Sequence, residues 1–246
     1  MSTLTGKTIL VNGCTSGIGA ATFRLAAGLG AEVIGTGRRR EEGEALAHET
    51  GGTFVCLDLT DDPALKNMFD RLRDGGVTLH GAVNNAAMTQ AALPINAIDG
   101  ELFDRLMAIN LRATFRCLQL EMTAMRGQGG SIVNVASIAG KRGFKGLAAY
   151  TASKHAVIGL TRSAALDGAA DNVRVNAVLP GTTRTGMFDE QMRTRPGGEA
   201  ATVAAIPLGR TARPEEIAQA IVWLLSDASG FVTGECITAD GGRTVT

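Results

Sequence analysis

Short runs of apolar, mostly β-branched residues alternate along the chain with longer segments whose apolar residues recur at helical spacing. Seven strands are predicted, at Thr8–Val11, Glu32–Thr36, Thr53–Leu57, Leu79–Val83, Ser131–Val135, Val173–Val178 and Glu235–Thr238. Helices are predicted between them, at Gly17–Leu29, Glu41–Glu49, Asp62–Arg73, Glu101–Arg126, Ala149–Ala169 and Pro214–Leu225. This alternation is typical of a parallel sheet that is covered by helices. It predicts an α/β protein with a doubly wound, Rossmann-type sheet of seven parallel strands and helices on both faces.

No internal repeat, low-complexity tract or change of composition divides the 246 residues. We therefore expect a single domain over residues 1–246, which is long enough for one large hydrophobic core. The stretch 186–205 is less regular, because it is rich in Gly, Thr and Arg and contains the break Pro196-Gly197-Gly198. We interpret this stretch as a mobile insertion that serves as a substrate lid.

Charge and composition then narrow the class of partner. Lys and Arg together number 24, and Asp and Glu also number 24. Since such a chain has no net field to steer it toward nucleic acid or a membrane surface, we expect a small-molecule partner. Met1 to Lys7 lack a basic leader with an apolar core, and no apolar run reaches the ~18 residues of a membrane span. We expect a cytoplasmic protein.

Cysteine and histidine are few and dispersed. Cys14, Cys56, Cys117 and Cys236 stand singly, and none is part of a Cys-x-x-Cys pair or lies at ligand spacing from one of the three histidines. Free thiols and no metal site are predicted.

A glycine-rich turn, Asn12-Gly13-Cys14-Thr15-Ser16-Gly17-Ile18-Gly19, follows the first strand and leads into a predicted helix. Glycines in this position allow a tight turn and a close approach of the backbone to a pyrophosphate, while the helix N-terminus offers free N–H groups and a positive dipole end. We prefer a dinucleotide-binding turn here to a purely structural one.

Tyr150 and Lys154 are four residues apart in a predicted helix, so their side chains project from the same face. A neighbouring ammonium group lowers the pKa of a phenol, which could then exchange a proton with a substrate oxygen. Taken alone, the pair is better explained by a lysine stem that packs beside a half-buried tyrosine.

Several segments together resemble the short-chain dehydrogenase/reductase family from one end of the chain to the other. The glycine turn is similar to the family pattern Thr-Gly-x-x-x-Gly-x-Gly, with Asn12 in place of threonine. The segment Asn84-Asn85-Ala86-Ala87 resembles the pattern Asn-Asn-Ala-Gly, and Ser137 precedes Tyr150 by thirteen residues, as the family's active-site serine does. The resemblance implies an NAD(P)(H)-dependent oxidoreductase that moves a hydride between nicotinamide and a secondary alcohol or ketone.

The resemblance also implies roles for four catalytic residues. Tyr150 would be the proton-transferring acid/base, and Lys154 would lower the pKa of its phenol. Ser137 would hold the substrate oxygen by a hydrogen bond. Asn110, in the long helix before the fifth strand, would help to position a water and the lysine for proton relay.

Cofactor contacts are implied at the family's motif positions, and Tyr150 and Lys154 are included among them. The others are Gly13, Thr15, Ser16, Gly17, Ile18, Gly19, Arg38, Asp58, Leu59, Asn84, Ala86, Pro180, Gly181, Thr183 and Thr185. An acidic residue at the end of the second strand would bind the ribose hydroxyls of NAD, but Gly37 occupies that position. Arg38 follows and can bind the additional phosphate of NADP, so NADP(H) is favoured over NAD(H), although an arginine here can also stack on the adenine of NAD.

The residues near these motifs that are expected to surround the substrate are mostly apolar, which suits a cyclic or aliphatic secondary alcohol or ketone. They are Met88, Gln90, Ala139, Phe144, Gly181, Met187, Phe188 and Met192. Two alternatives stay open: a reductase of carrier-bound 3-oxoacyl groups, and a non-catalytic protein that senses dinucleotides. The apolar helix around Trp223 and the long helices around Asn110 and Tyr150 resemble the family's assembly surfaces, so we expect a homotetramer.

Overall fold

The computed structural model describes residues 3–194 and 197–245. Within these ranges seven strands form one parallel sheet in the order β3-β2-β1-β4-β5-β6-β7. The strands are β1 Thr8–Asn12, β2 Glu32–Gly37, β3 Thr53–Cys56, β4 Gly81–Asn84, β5 Gly130–Val135, β6 Val173–Pro180 and β7 Cys236–Ala239. The predicted fold class, a doubly wound seven-stranded parallel sheet, is confirmed.

Helices cover both faces of the sheet. They are α1 Gly17–Gly28, α2 Arg40–Thr50, α3 Asp62–Asp74, α4 Gly100–Met107, α5 Ala113–Ala124, α6 Ala148–Gly168, α7 Gly186–Thr194, α8 Gly198–Ala204 and α9 Pro214–Leu225. In the described part of the chain, no helix is both long enough and apolar enough to cross a membrane.

Alternate residues of the central strand β1 point to opposite faces of the sheet. Ile9 and Val11 lie in one core cluster with Phe23 of α1 and Ile221 of α9, whereas Leu10 belongs to the cluster on the other face. Because both faces are buried, all five positions of β1 are apolar or hydrogen-bonded and none reaches solvent.

The single long helix predicted at Glu101–Arg126 is divided. A π-helical segment, Ala108–Arg112, separates α4 from α5 and contains Asn110. Such segments insert an extra residue into an α-helix and are frequent at functional sites.

The stretch 186–205, predicted to be irregular, contains two helices, α7 and α8. Arg195 and Pro196, which belong to the predicted lid, lie outside the described residues. The helix α7 forms despite its polar composition because Phe188 is buried against the rest of the protein. The prediction of irregular structure was therefore wrong for these two helices.

The strand order reverses direction between β1 and β4. From β1 the chain proceeds to β2 and β3 on one side, and β4 begins the other half of the sheet. In open parallel sheets a crevice forms at such a switch point, outside the carboxyl ends of the two strands. The residues that follow β1 and β4 are therefore placed to form a binding site.

Candidate active site

A cleft of about 480 Å³ lies at the switch point. It is lined by the turn after β1, the ends of β2 and β3, the segment after β4 and the start of α7. Many of the predicted cofactor residues line it, namely Gly13, Thr15, Ser16, Gly17, Ile18, Arg38, Asp58, Leu59, Ala86 and Thr185. The structure thus brings together residues that are as much as 172 positions apart in the sequence, Gly13 and Thr185.

The turn after β1 is packed so tightly that two of its glycines cannot be replaced without a clash. Gly13 has a φ of +79°, and a Cβ atom there would lie 2.7 Å from the backbone of Ala86. A Cβ atom at Gly19 would lie 2.1 Å from the carbonyl oxygen of Gly13, which also accepts a hydrogen bond of 2.8 Å from Asn85 Nδ2. Gly19 does not line the cleft, so its part is to let α1 approach the turn.

The first turn of α1 faces this cleft. Ser16, its N-cap residue, makes no side-chain capping hydrogen bond, and the described first turn carries no acidic residue. The N–H groups and the positive dipole end of a twelve-residue helix therefore remain available to an anion. This observation fits the pyrophosphate of a dinucleotide.

A row of buried polar side chains crosses the sheet directly below the turn. Thr36 donates to Asn12 Oδ1 at 2.9 Å, Asn12 Nδ2 donates to Asn84 Oδ1 at 3.0 Å, and Asn84 Nδ2 donates to Asn134 Oδ1 at 3.0 Å. These residues are register partners on β2, β1, β4 and β5. Asn84, which was predicted as a cofactor contact, has its side chain engaged in this row below the cleft.

Glu121 of α5 closes the row from below and is completely buried. It accepts hydrogen bonds from Asn12 Nδ2 at 3.1 Å and from Asn84 Nδ2 at 2.9 Å. Burial raises the pKa of Glu121 to about 8, although the two amide donors oppose the rise. Asn12 supplies two N–H donors, one to Asn84 and one to Glu121, where the family's threonine would offer one hydroxyl. Glu121 was not among the predicted site residues, because its only signal in the sequence is an acid between Leu120 and Met122.

The end of β2 forms the outer part of the cleft. A Cβ atom at Gly37 would lie 2.7 Å from Thr15 Cγ2, so a side chain at this position requires Thr15 to move. Arg39, the residue after Arg38, donates to Thr15 Oγ1 at 3.1 and 2.9 Å. Arg38 is exposed and lies 3.8 Å from the carboxylate of Asp58. Two guanidinium groups therefore border the cleft where β2 ends.

A second pocket, of about 170 Å³, adjoins the cleft and shares several lining residues with it. It contains the predicted catalytic residues Ser137, Tyr150 and Lys154 together with Pro180, Gly181 and Thr183. The apolar residues Ala139, Phe144, Met187, Phe188 and Met192 line it as expected, and so does Gln191, which was not predicted. Met88 and Gln90, which were expected to surround the substrate, do not line this pocket. Gln90 is instead buried in the packing below it.

Lys154 and Tyr150 lie side by side at the inner end of this pocket. Lys154 Nζ is 5.8 Å from the centre of the tyrosine ring and donates to the carbonyl oxygen of Val135 at 2.9 Å. Burial raises the pKa of Tyr150, while hydrogen bonding with Ser137 opposes the rise. Burial lowers the pKa of Lys154 to about 8.

These directions differ from the lowered tyrosine pKa that the sequence analysis expected. The difference arises because desolvation disfavours the charged form of both groups. Tyr150 and Lys154 nevertheless titrate as a coupled pair. Removal of one proton from the pair leaves either a neutral tyrosine beside a neutral lysine or a phenolate beside an ammonium ion. These two states differ only in the position of one proton.

Asn110 lies in the π-helical segment and lines neither the cleft nor the second pocket. Its Oδ1 accepts from the backbone N–H of Met88 at 2.8 Å, and its Nδ2 donates to Met88 O at 3.0 Å and to Ser153 Oγ at 3.1 Å. Its carbonyl oxygen accepts from Thr114 Oγ1 at 3.0 Å. The expected water relay to Lys154 stays a prediction.

Comparison with known proteins agrees with this geometry. A family model described as enoyl-(acyl carrier protein) reductase matches residues 13–244. A 2,5-dichloro-2,5-cyclohexadiene-1,4-diol dehydrogenase from Sphingobium indicum is 45% identical over 99% of both chains. A 3-oxoacyl acyl-carrier-protein reductase from Thermotoga maritima is 37% identical over 98% of this chain and 99% of its own. The solved structure of a short-chain type dehydrogenase/reductase from Mycobacterium marinum is 31% identical, with a TM-score of 0.92 over 99% of this chain and 98% of that one.

Proposed function

This chain belongs to the short-chain dehydrogenase/reductase family, and we propose that it transfers a hydride between NAD(P)(H) and a secondary alcohol or ketone. The observation that carries the proposal is the meeting of Ser137, Tyr150 and Lys154 in a pocket that adjoins the cleft at the glycine-rich turn. When bound, the nicotinamide supplies the hydride acceptor or donor.

The protein's own residues handle the proton. Ser137 and Tyr150 line the same pocket, so a substrate oxygen that binds Ser137 comes within reach of the phenol. In oxidation, Tyr150 takes the hydroxyl proton as the carbon loses its hydride; in reduction, Tyr150 returns the proton to the oxygen. Lys154, held by Val135 O, lies beside the phenol, and its protonated form favours the ionised form of Tyr150.

The substitution Tyr150→Phe tests this assignment, because it removes only the phenolic oxygen. Turnover is expected to fall by roughly two to four orders of magnitude, while cofactor affinity stays within a few fold. Thr151→Val is a matched control that removes a neighbouring hydroxyl which, within the described residues, is buried without a hydrogen-bond partner. Near-parent turnover in Tyr150→Phe would show that another group transfers the proton.

For the substrate, we propose a cyclic secondary alcohol or diol, or the corresponding ketone. The pocket is small and its lid side carries Met187, Phe188 and Met192. The relative from Sphingobium indicum is named for its action on a chlorinated cyclohexadienediol. A panel of cyclohexanol, cyclohexanediols and open-chain secondary alcohols, followed by nicotinamide absorbance with both cofactors, tests this class. Higher kcat/KM for the open-chain alcohols than for the ring compounds would contradict it.

We propose NADP(H) as the preferred cofactor, with Arg38 as the main determinant. The support is the pair of guanidinium groups at the end of β2 and the glycine at position 37, where any side chain would displace Thr15. The contact of Arg38 with Asp58 is long, at 3.8 Å, so a phosphate can replace it at small cost.

Arg38→Asp is expected to lower the ratio of kcat/KM for NADP to that for NAD by about ten- to one-hundred-fold, as for the loss of a charged hydrogen bond. Arg40→Asp is the matched control, because Arg40 pairs with Glu44 on the exposed side of α2. An unchanged ratio in Arg38→Asp would show that the assignment is wrong.

Reduction of carrier-bound 3-oxoacyl groups is the second candidate. The relative from Thermotoga maritima, which is named for this reaction, favours it. The description of the family model also names an acyl carrier protein, although it names reduction of an enoyl group. The test compares kcat/KM for an acetoacetyl group on a carrier protein with kcat/KM for the same group on a short free thioester. Only a carrier-dependent enzyme is expected to prefer the carrier-bound group. Absence of turnover with every compound would revive the dinucleotide-sensing interpretation.

We further propose that the chain is one domain with a lid at 186–205, and that it assembles as a homotetramer. Large apolar side chains are exposed on the long helices and near the C-terminal helix, namely Phe103, Phe115, Leu166, Trp223 and Phe231. Such surfaces are typical of subunit contacts. Light scattering that finds a monomer at micromolar concentration would exclude the assembly.

A further inference from the structure

Three consecutive residues after β4, Met88, Thr89 and Gln90, are each hydrogen-bonded to a different element around the second pocket. We call them the 88–90 segment. Gln90 is 4% exposed, which is unusual for a glutamine unless its amide is fully engaged. Its Oε1 accepts from the backbone N–H of Tyr150 at 3.1 Å, and its Nε2 donates to the carbonyl oxygen of Gly146 at 3.1 Å.

Gln90 caps the N-terminus of α6, although it is distant from this helix in the sequence. The helix α6 begins at Ala148, and Leu147, its N-cap residue, makes no side-chain capping hydrogen bond. The N–H groups of a first helical turn need an acceptor, which a Ser, Thr, Asp or Asn at the N-cap usually supplies. Here Gln90 supplies it to Tyr150, so the position of the proposed acid/base depends on a residue sixty positions earlier.

Met88 reaches the same tyrosine by a second route. Its backbone N–H and carbonyl both bind the side chain of Asn110, which also donates to Ser153 Oγ. Ser153 Oγ in turn donates to the carbonyl oxygen of Tyr150 at 2.7 Å. Asn110 and Ser153 are buried, at 1% and 0% exposure, so water does not compete for these bonds.

Thr89 connects the segment to the lid. Gln191 of α7 donates from Nε2 to Thr89 Oγ1 at 2.7 Å. The same helix contributes Met187 and Met192 to the second pocket. A movement of α7 over the pocket therefore acts directly on the residue between Met88 and Gln90.

We propose that Gln90 is a positioning residue for Tyr150, and that the bond between Thr89 and Gln191 couples the placement of α7 over the substrate to the placement of that tyrosine. The proposal rests on the proposed function, in which Tyr150 is the acid/base. Neither Gln90 nor Thr89 touches the reacting atoms. Their effect is on how often the phenol lies at the productive distance from the substrate oxygen.

The variant Gln90→Leu removes both bonds of the side chain with little change in volume. It is expected to lower kcat by about ten- to one-hundred-fold, the scale of a misplaced catalytic group, while the cofactor Kd stays within a few fold. Gln90→Glu retains an acceptor for the Tyr150 N–H and is expected to recover most of kcat, which also covers the case in which Gln90→Leu does not fold. A folded Gln90→Leu protein with parent kcat would overturn the positioning role, and so would a folded Gln90→Glu protein with no recovery.

Tyr150 is the only tyrosine in the chain, so its ionisation can be followed directly by the ultraviolet absorbance of the phenolate. In Gln90→Leu, the loosened first turn admits water, and the tyrosine titration is expected to move to lower pH, toward that of an ordinary tyrosine. This measurement needs no substrate. It therefore remains informative if the proposed function fails, and an unchanged titration curve would count against the role of Gln90 by itself.

The coupling to the lid is tested by a double-mutant cycle. Thr89→Val should raise KM and lower kcat, whereas Thr89→Ser, which keeps the hydroxyl, should resemble the parent. The double variant Thr89→Val/Gln90→Leu should lower kcat by less than the product of the two single reductions, because both residues act through Tyr150. Fully multiplicative effects would show that the lid contact and the tyrosine contact are independent.

Discussion

Glu121 is a carboxyl group at the centre of the protein whose titration is expected to set much of the pH dependence of folding. It is completely buried, and its pKa lies at about 8, whereas the ordinary value is 4.5. Between these two values the unfolded chain releases the proton and the folded chain retains it. The contribution of Glu121 to the unfolding free energy is therefore complete below the ordinary pKa and falls as the pH rises. Above about pH 8 this group causes no further loss.

The magnitude follows from the two pKa values. Each pH unit in this interval costs about 1.4 kcal/mol of unfolding free energy, and the slope flattens near the folded pKa. From pH 6 to pH 8 the parent protein is therefore expected to lose about 2 kcal/mol through Glu121. The glutamine of Glu121→Gln does not ionise in this pH range. Its amide N–H group faces the donors of Asn12 and Asn84, so the variant is expected to be less stable than the parent at pH 6.

Urea unfolding at pH 6 and pH 8, at one fixed protein concentration, provides the measurement. The difference in unfolding free energy between the parent and Glu121→Gln should narrow by about 2 kcal/mol at the higher pH. Glu101→Gln, which removes an exposed carboxyl from α4, is the matched control and should show no such narrowing. A difference that stays constant within about 0.5 kcal/mol would refute a folded carboxyl that holds its proton across this range.

Two further predictions concern the site itself. Lys154→Met should lower turnover by at least about one-hundred-fold, because the phenol loses its neighbouring positive charge, and single-turnover kinetics would show whether the chemical step is the one affected. Gly13→Ala should weaken cofactor binding by about tenfold or more in fluorescence titrations, since the new methyl meets the backbone of Ala86. Gly76→Ala is the matched control, because its φ is also positive but nothing lies within 4 Å; equal losses of cofactor affinity in both variants would contradict the explanation by close contact.

Much of the fold could be predicted because the hydrophobic pattern reports burial directly. Strands buried on both faces appear as continuous apolar runs, and α9 was predicted with both of its ends correct, since Pro214 begins it and Ser226 ends its apolar stripe. The strand order, which places the turn after β1 beside the segment after β4, was not predicted and came from the structure.

The direction of individual side chains could not be predicted in this way. Motif membership grouped Gly19 and Asn84 with the cofactor contacts, but it gave no sign of the close packing at Gly19 or of the buried polar row that holds the side chain of Asn84. Glu121 was not predicted at all, and Gln90 was predicted to face the substrate and not to bind the Tyr150 backbone, because their partners lie 37 or more and 60 residues away. Polar residues with distant partners leave no periodic signal along the chain.

The π-helical segment between α4 and α5 has a consequence for insertions and deletions. A residue in an α-helix advances by about 100° around the axis, so the extra residue at Ala108–Arg112 sets the angular phase of everything that follows in α5. The deletion of one residue there would restore a continuous helix but would turn Cys117, Leu118 and Glu121 away from the core. Relatives that differ in length should therefore accommodate the change in the exposed loops around Gly127 or Gly143, and this segment should keep its length.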